Sequence, residues 1–168
     1  RLIAFDSNYS LTGANADIRF KIKPSQQITV AMGLAHELVV KKGLSQFASN
    51  PSVKSSLEAY ADAAQSLGIN PEVFAEVAND LWENKGQSVV VAGGLPTLTG
   101  QQLGLQIAVN FLNSILGNDG KIVDYKNDWS QSLSASWQDM TSLIEKMKSG
   151  QVKTLIIHRT NPIYALPE

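Results

Sequence analysis

Two short aliphatic runs stand at opposite ends of this chain, and each runs straight into a polar turn. Leu2 to Phe5 gives way to Asp6-Ser7-Asn8, and Lys153 to His158 gives way to Arg159-Thr160-Asn161-Pro162. A short apolar run bounded by turn residues fits a strand buried on both faces of a parallel sheet. A third run, Gln87 to Ala92, is β-branched at its centre and closed by Gly93-Gly94. Helical stretches separate the three. Strands alternating with helices predict an α/β fold, a three-layer α/β/α arrangement with a mainly parallel sheet. Asp17 to Lys23 alternates charged and apolar residues, as an edge strand would, until Pro24 stops it. Ile122 to Tyr125 reads as a minor strand.

The helical punctuation is sharper. Asn50-Pro51 and Asn70-Pro71-Glu72 each place Asn at the N-cap and Pro at the first helical position, which predicts helices over 51–67 and 71–84. Ile28 to Lys42 carries Val30, Leu34 and Leu38 at helical spacing, with Lys41 and Lys42 in the last turn and Gly43 beyond. Thr99 to Leu116 predicts a long helix stopped by Gly117-Asn118, and Trp137 to Lys148 another stopped before Gly150. Residues Asn118 to Ser136 are polar and read as a long loop.

With 168 residues the default is one domain, 1–168. A chain of this size buries about 68–70% of the surface that its unfolded form exposes, enough for a core. The formal net charge of -1 makes no electrostatic case for nucleic acid or an anionic membrane surface. No run of about 18 apolar residues occurs, so no direct membrane insertion by a helix is expected. Cysteine is absent, which excludes disulfides, thiolate zinc sites and iron–sulfur ligation from within this stretch. The two histidines, His36 and His158, are too few for a histidine metal cluster. The strand at residue 2 and the Asn-Pro turn near the close read as cuts through a larger fold, so the chain is expected to be an excised domain.

In open parallel sheets, ligands lie outside the carboxyl ends of the strands. Three such ends are visible, at Asp6-Ser7-Asn8, at Gly93-Gly94 and at His158 to Asn161, and a nucleotide-like ligand could lie across them. The plainer reading is that these turns use Asp, Gly and Asn to change direction, and the residues alone favour it. There is no Gly-x-Ser-x-Gly elbow, no phosphate loop and no Gly-x-Gly-x-x-Gly after a strand. His36 reads as a packed or surface histidine, and Glu37, Glu58, Glu72 and Glu76 as solvated helix faces. No carboxylate pair stands out as acid–base machinery.

Taken in order, several segments resemble the molybdopterin oxidoreductase (dimethyl sulfoxide reductase) family. Leu2 to Asp6, Ala16-Asp17 and Pro24-Ser25-Gln26-Gln27 follow its "strand–Asp … Ala-Asp … Pro-Gly-Thr-Asp" stretch. Lys85 to Gly94 is similar to its "Gly–strand–Gly" element, the helix ending Asn113 to Asn118 to its "Leu-x-x-Leu-x-Gly-Asn" element, and Leu143 to Asn161 to its approach to Asn-Pro. Two departures fall where the family touches its pterin. Ser25 and Gln27 replace Gly and Asp, and Arg159 stands where glycine is common. Serine adds a side chain where backbone approach is needed, and glutamine replaces an acceptor-only carboxylate.

The departures resemble one branch, the molybdopterin-oxidoreductase-like iron–sulfur subunit of alternative complex III. That resemblance implies a scaffold domain without a cofactor and not itself catalytic. It also implies iron–sulfur clusters elsewhere in the full chain, and a place at the periplasmic or outer face of a membrane. Its partners would be other domains of the parent chain and subunits of a membrane-attached respiratory complex. The alternative is a working domain that binds molybdopterin guanine dinucleotide. Asp6, Ser25, Gln26, Gly94, His158 and Asn161 are the candidates for the vestigial cleft under the first reading, and for the cofactor site under the second.

Overall fold

The computed structural model describes residues 1–93, 100–124, 126 and 135–165. The chain divides into two compact units, Arg1–Tyr125 and Lys126–Glu168.

The first unit opens with β1 (Ile3–Asp6), a short helix α1 (Leu11–Ala14) and β2 (Ile18–Lys21). β1 and β2 pair in parallel, with Phe5 opposite Phe20 and Asp6 opposite Lys21. The strand pleat puts Phe5 and Phe20 on one face, where they stack at 4.7 Å. Phe5 also meets the edge of Phe74 at 6.5 Å, which ties the strand pair to the helical core. Ser10 caps α1 by accepting from the Gly13 N–H at 3.0 Å.

The core forms around α2 (Gln27–His36), which continues as a π-helical turn, Glu37–Lys41. The wider turn leaves Leu38 and Val39, consecutive residues, both fully buried. A regular helix was expected through Lys42. Around α2 pack α3 (Pro51–Leu57), α4 (Ala63–Leu67), α5 (Pro71–Glu83) and α6 (Gln102–Ile115). Phe74, Leu57, Leu112 and Leu116 fill the space between them. Gly33 permits the closest approach, since a Cβ there would lie 2.4 Å from the Ala63 Cβ and 3.2 Å from the Phe74 ring.

Both Asn-Pro helix starts stand where the sequence puts them. Asn50 Oδ1 accepts from the Ser52 and Val53 N–H groups at 3.0 and 3.3 Å, and Asn70 Oδ1 from Glu72 and Val73 at 2.7 and 3.4 Å. The helix expected over 51–67 is instead two pieces joined by a 3₁₀ turn, Glu58–Tyr60. That tighter turn redirects the chain so that Ala63, Ala64 and Leu67 are buried.

Gln87 to Ala92, expected as a strand, has the alternating exposure of one but joins no ladder among the described residues. Ser88, Val90 and Ala92 are half-buried, while Val89 and Val91 are exposed. The segment lies along α6 through side-chain amides. Asn113 bonds both the N–H and the C=O of Val90, and Gln106 donates to the Ala92 carbonyl at 2.8 Å. The minor strand expected at 122–125 is reduced to one bridge, Asp119 with Val123. Thr99 and Tyr125 lie outside the described residues.

The second unit contains α7 (Trp137–Lys148) and the four-residue α8 (Pro162–Ala165). α7 begins with a capping box, in which Ser136 and Asp139 each accept the other's backbone N–H, at 3.2 and 2.8 Å. Between the helices, 153–158 forms no ladder among the described residues, and Leu155, Ile156 and Ile157 are exposed.

Candidate functional site

Asp6 ends β1, and two residues later in the pairing β2 gives way to the 3₁₀ turn Pro24–Gln26. The Ile22 N–H donates to the Asp6 carbonyl at 3.0 Å. Asp6, Ser25 and Gln26 therefore share the carboxyl edge of the strand pair, as strand-end topology predicts.

The Asp6 carboxylate is already engaged. Its Oδ1 lies 2.7 Å from Arg19 Nε, and both side chains are about four-fifths buried, at 22% and 23% exposure. Those two atoms are sealed from solvent and misaligned for a hydrogen bond, so the contact is an ion pair rather than a directed N–H···O bond. Oδ2 accepts from Ser10 Oγ at 3.3 Å. Gly13 presses against the same oxygen, since a Cβ there would stand 2.3 Å from it. Arg19 in turn donates to the Asn8 carbonyl at 3.2 Å and lies over the Tyr9 ring at 5.0 Å. The result is a closed corner of β1, α1 and β2, with a carboxylate at its centre and a cation against it.

Gln26 is likewise occupied locally. Its Oε1 accepts the Lys23 N–H at 2.9 Å and its Nε2 donates to the Ser66 carbonyl at 3.3 Å. Ser25 is exposed on the same turn. Gly94 lies outside the described residues. His158 and Asn161 belong to the second unit, and both are exposed. Asn161 precedes Pro162, the first residue of α8, and its carbonyl accepts from Tyr164 N–H at 3.2 Å. It repeats the Asn-Pro sequence of the starts at residues 50 and 70, with Pro at the first helical position.

A pterin dinucleotide needs free acceptors for its amines and free donors for its phosphates. At the β1 edge the carboxylate is neutralised by Arg19, and the Gln26 amide has one oxygen lone pair and one N–H engaged. The Asp6 carboxylate there is not a free acceptor for such a group. Among the described residues no three His, Asp or Glu side chains gather to hold a metal ion. No described helix is long and apolar enough to cross a membrane.

The sequence reading did not find Arg19. Its signal was the period-2 alternation of β2, which puts Arg19 on the face opposite Phe20, the same face as Asp6. It also missed the amide cluster of Gln106, Asn113 and Asn118, where Asn113 and Asn118 are 3% and 0% exposed.

No family model matches the chain. It is similar to the menaquinone reductase, molybdopterin-binding-like subunit of Nitratidesulfovibrio vulgaris, at 29% identity over an alignment of 179 residues. The alignment takes in 94% of this chain and 24% of the relative, so the chain spans about a quarter of that protein's length. The likeness supports a family related to the molybdopterin oxidoreductases.

Proposed function

We propose that this chain is a molybdopterin-oxidoreductase-like scaffold domain that takes up no pterin cofactor and serves a respiratory quinone oxidoreductase complex. The likeness to a menaquinone reductase subunit supports the class of complex. The observation that carries the absence of cofactor is the Asp6–Arg19 pair, because the strand-end carboxylate that would receive a ligand amine already faces a guanidinium at 2.7 Å. A buried charge so neutralised has little to gain from exchanging its partner. In this reading β1 and β2 are the parallel pair of a three-layer α/β/α fold. The domain works by holding neighbouring domains and subunits at the outer face of the membrane. The quinol:cytochrome c branch of alternative complex III is the finer placement that the Pro24-Ser25-Gln26 and Arg159 departures favour.

Titration of the purified protein with a guanine nucleotide, standing in for the nucleotide half of the cofactor, tests the reading. No saturable binding up to millimolar concentration is expected. Micromolar binding, worth about -8.2 kcal/mol, that disappears in Asp6→Ala or Asn161→Ala would overturn it in favour of a working pterin-binding domain.

A further inference from the structure

Away from the strand edge, the C-terminal ends of α5 and α6 frame a cavity of about 280 Å³. Its wall includes Trp82, Lys85, Gly86 and Lys121, with Ser45 and Ser114 beside them. No acidic residue lines it. The Lys85 ammonium is held over the Trp82 ring at 4.5 Å from the centroid. The Lys121 ammonium stands over Gly86, 3.9 Å from where a Cβ would be. Neither lysine takes part in any of the ion pairs among the described residues.

One buried residue fixes both lysine-bearing loops. Asn118 is 0% exposed. Its Oδ1 accepts the Gly86 N–H at 3.2 Å, which anchors the loop next to Lys85. Its backbone carbonyl accepts the N–H groups of Lys121, Ile122 and Val123, each at 3.1 Å. Its Nδ2 donates to Asn113 Oδ1 at 3.0 Å, which roots the arrangement in α6. The two cations are thus brought to one wall by a buried hub rather than by two independent mobile loops.

Charge decides what such a cleft takes. The carboxyl ends of α5 and α6 together contribute roughly one negative charge. Two ammonium groups outweigh it, and a cleft with low-dielectric walls concentrates that surplus. The Ser45 hydroxyl accepts the Phe47 N–H at 3.2 Å, which leaves its proton free to donate into the cleft. Trp82 supplies an apolar wall. The volume is close to the lower bound of about 300 Å³ for small-molecule sites.

We infer that this cleft binds a small organic phosphomonoester, its dianion between Lys85 and Lys121 and its carbon portion against Trp82. The inference does not rest on the scaffold reading above. Phenyl phosphate is the probe, followed by calorimetry and by amide chemical shifts of the intact chain, with inorganic phosphate as the second arm. Saturable binding is expected, with the largest shifts at Lys85, Gly86 and Lys121. Lys85→Gln and Lys121→Gln should each weaken it at least tenfold at an unchanged unfolding midpoint, and Lys54→Gln, on α3, should leave it unaltered. Phenyl phosphate should bind several-fold more tightly than inorganic phosphate. Equal affinity for the two would overturn the role of Trp82. No saturation, shifts elsewhere on the surface, or equal weakening by Lys54→Gln would overturn the site.

Discussion

The side chain of Asn113 exchanges two hydrogen bonds with the backbone of Val90, accepting its N–H at 3.0 Å and donating to its C=O at 2.8 Å. A neighbouring strand would offer a backbone the same donor–acceptor pair. Asn113, on a helix, takes the place of one ladder rung.

Replacing Asn113 by Ala should therefore cost about 2–6 kcal/mol, since two half-buried backbone groups lose their partners at roughly 1–3 kcal/mol each. Asn118 loses its acceptor as well. Urea denaturation measures the change. A loss below about 0.5 kcal/mol, the usual size of a surface substitution, would mean that water replaces the amide and that the segment is not held by it.

Gly33→Ala should destabilise by about 1–3 kcal/mol, the range for overpacking a filled core. The new methyl would collide with Ala63, 2.4 Å away. Adding Ala63→Gly should restore part of the loss, because the two sites are in contact and their effects are not additive. A double variant as unstable as the sum of the two singles would place the strain elsewhere.

Arg19→Met leaves the Asp6 carboxylate in its corner without a cation. A loss of about 1–3 kcal/mol is expected, below the range for fully buried pairs because a fifth of each side chain remains exposed. Arg19→Met with Asp6→Asn should recover most of it. If the double variant is no better than the single, the guanidinium acts through its packing on Tyr9 rather than through charge.

Asp139 is held below the usual aspartate range by the Ser136 hydroxyl and then by the Ser136 backbone N–H, with burial contributing little against them. A lowered folded-state pKa means that the capping box supports α7 fully above about pH 4, the unfolded value. The support is lost as the pH falls through the lowered value. Carboxyl-detected NMR should show a midpoint below pH 4 that rises toward the ordinary range in Ser136→Ala, which keeps only the backbone N–H. An unchanged midpoint would separate the two residues.

Local signals in the sequence were enough for the helix starts. Asn50 and Asn70 cap helices because each side chain reaches N–H groups two and three residues ahead, and that reach is a matter of adjacent positions. The extended character of Leu2 to Phe5 and of Asp17 to Lys23 was also legible, but their pairing with each other was not. Pairing of 87–92 was not, since β-branched residues specify an extended backbone but not its neighbour. The partner supplied here is an amide twenty-three residues on, whose role no propensity encodes. The Asp6–Arg19 contact joins residues on two strands and depends on register, which emerges only when Phe5 faces Phe20. The placement of Gly94 falls outside the described residues.

The anchoring of Val90 by Asn113 also sets an order of events. During synthesis the β-branched run Val89–Val91 emerges well before Asn113, at roughly 5–20 residues per second, and so waits about one to several seconds without the Asn113 rung. α6 has to form and settle on α2 before the run can be fastened. Val90 is then a late site, expected to show a φ-value near zero, whereas Leu112 at the α2–α6 contact is expected to rank among the early ones.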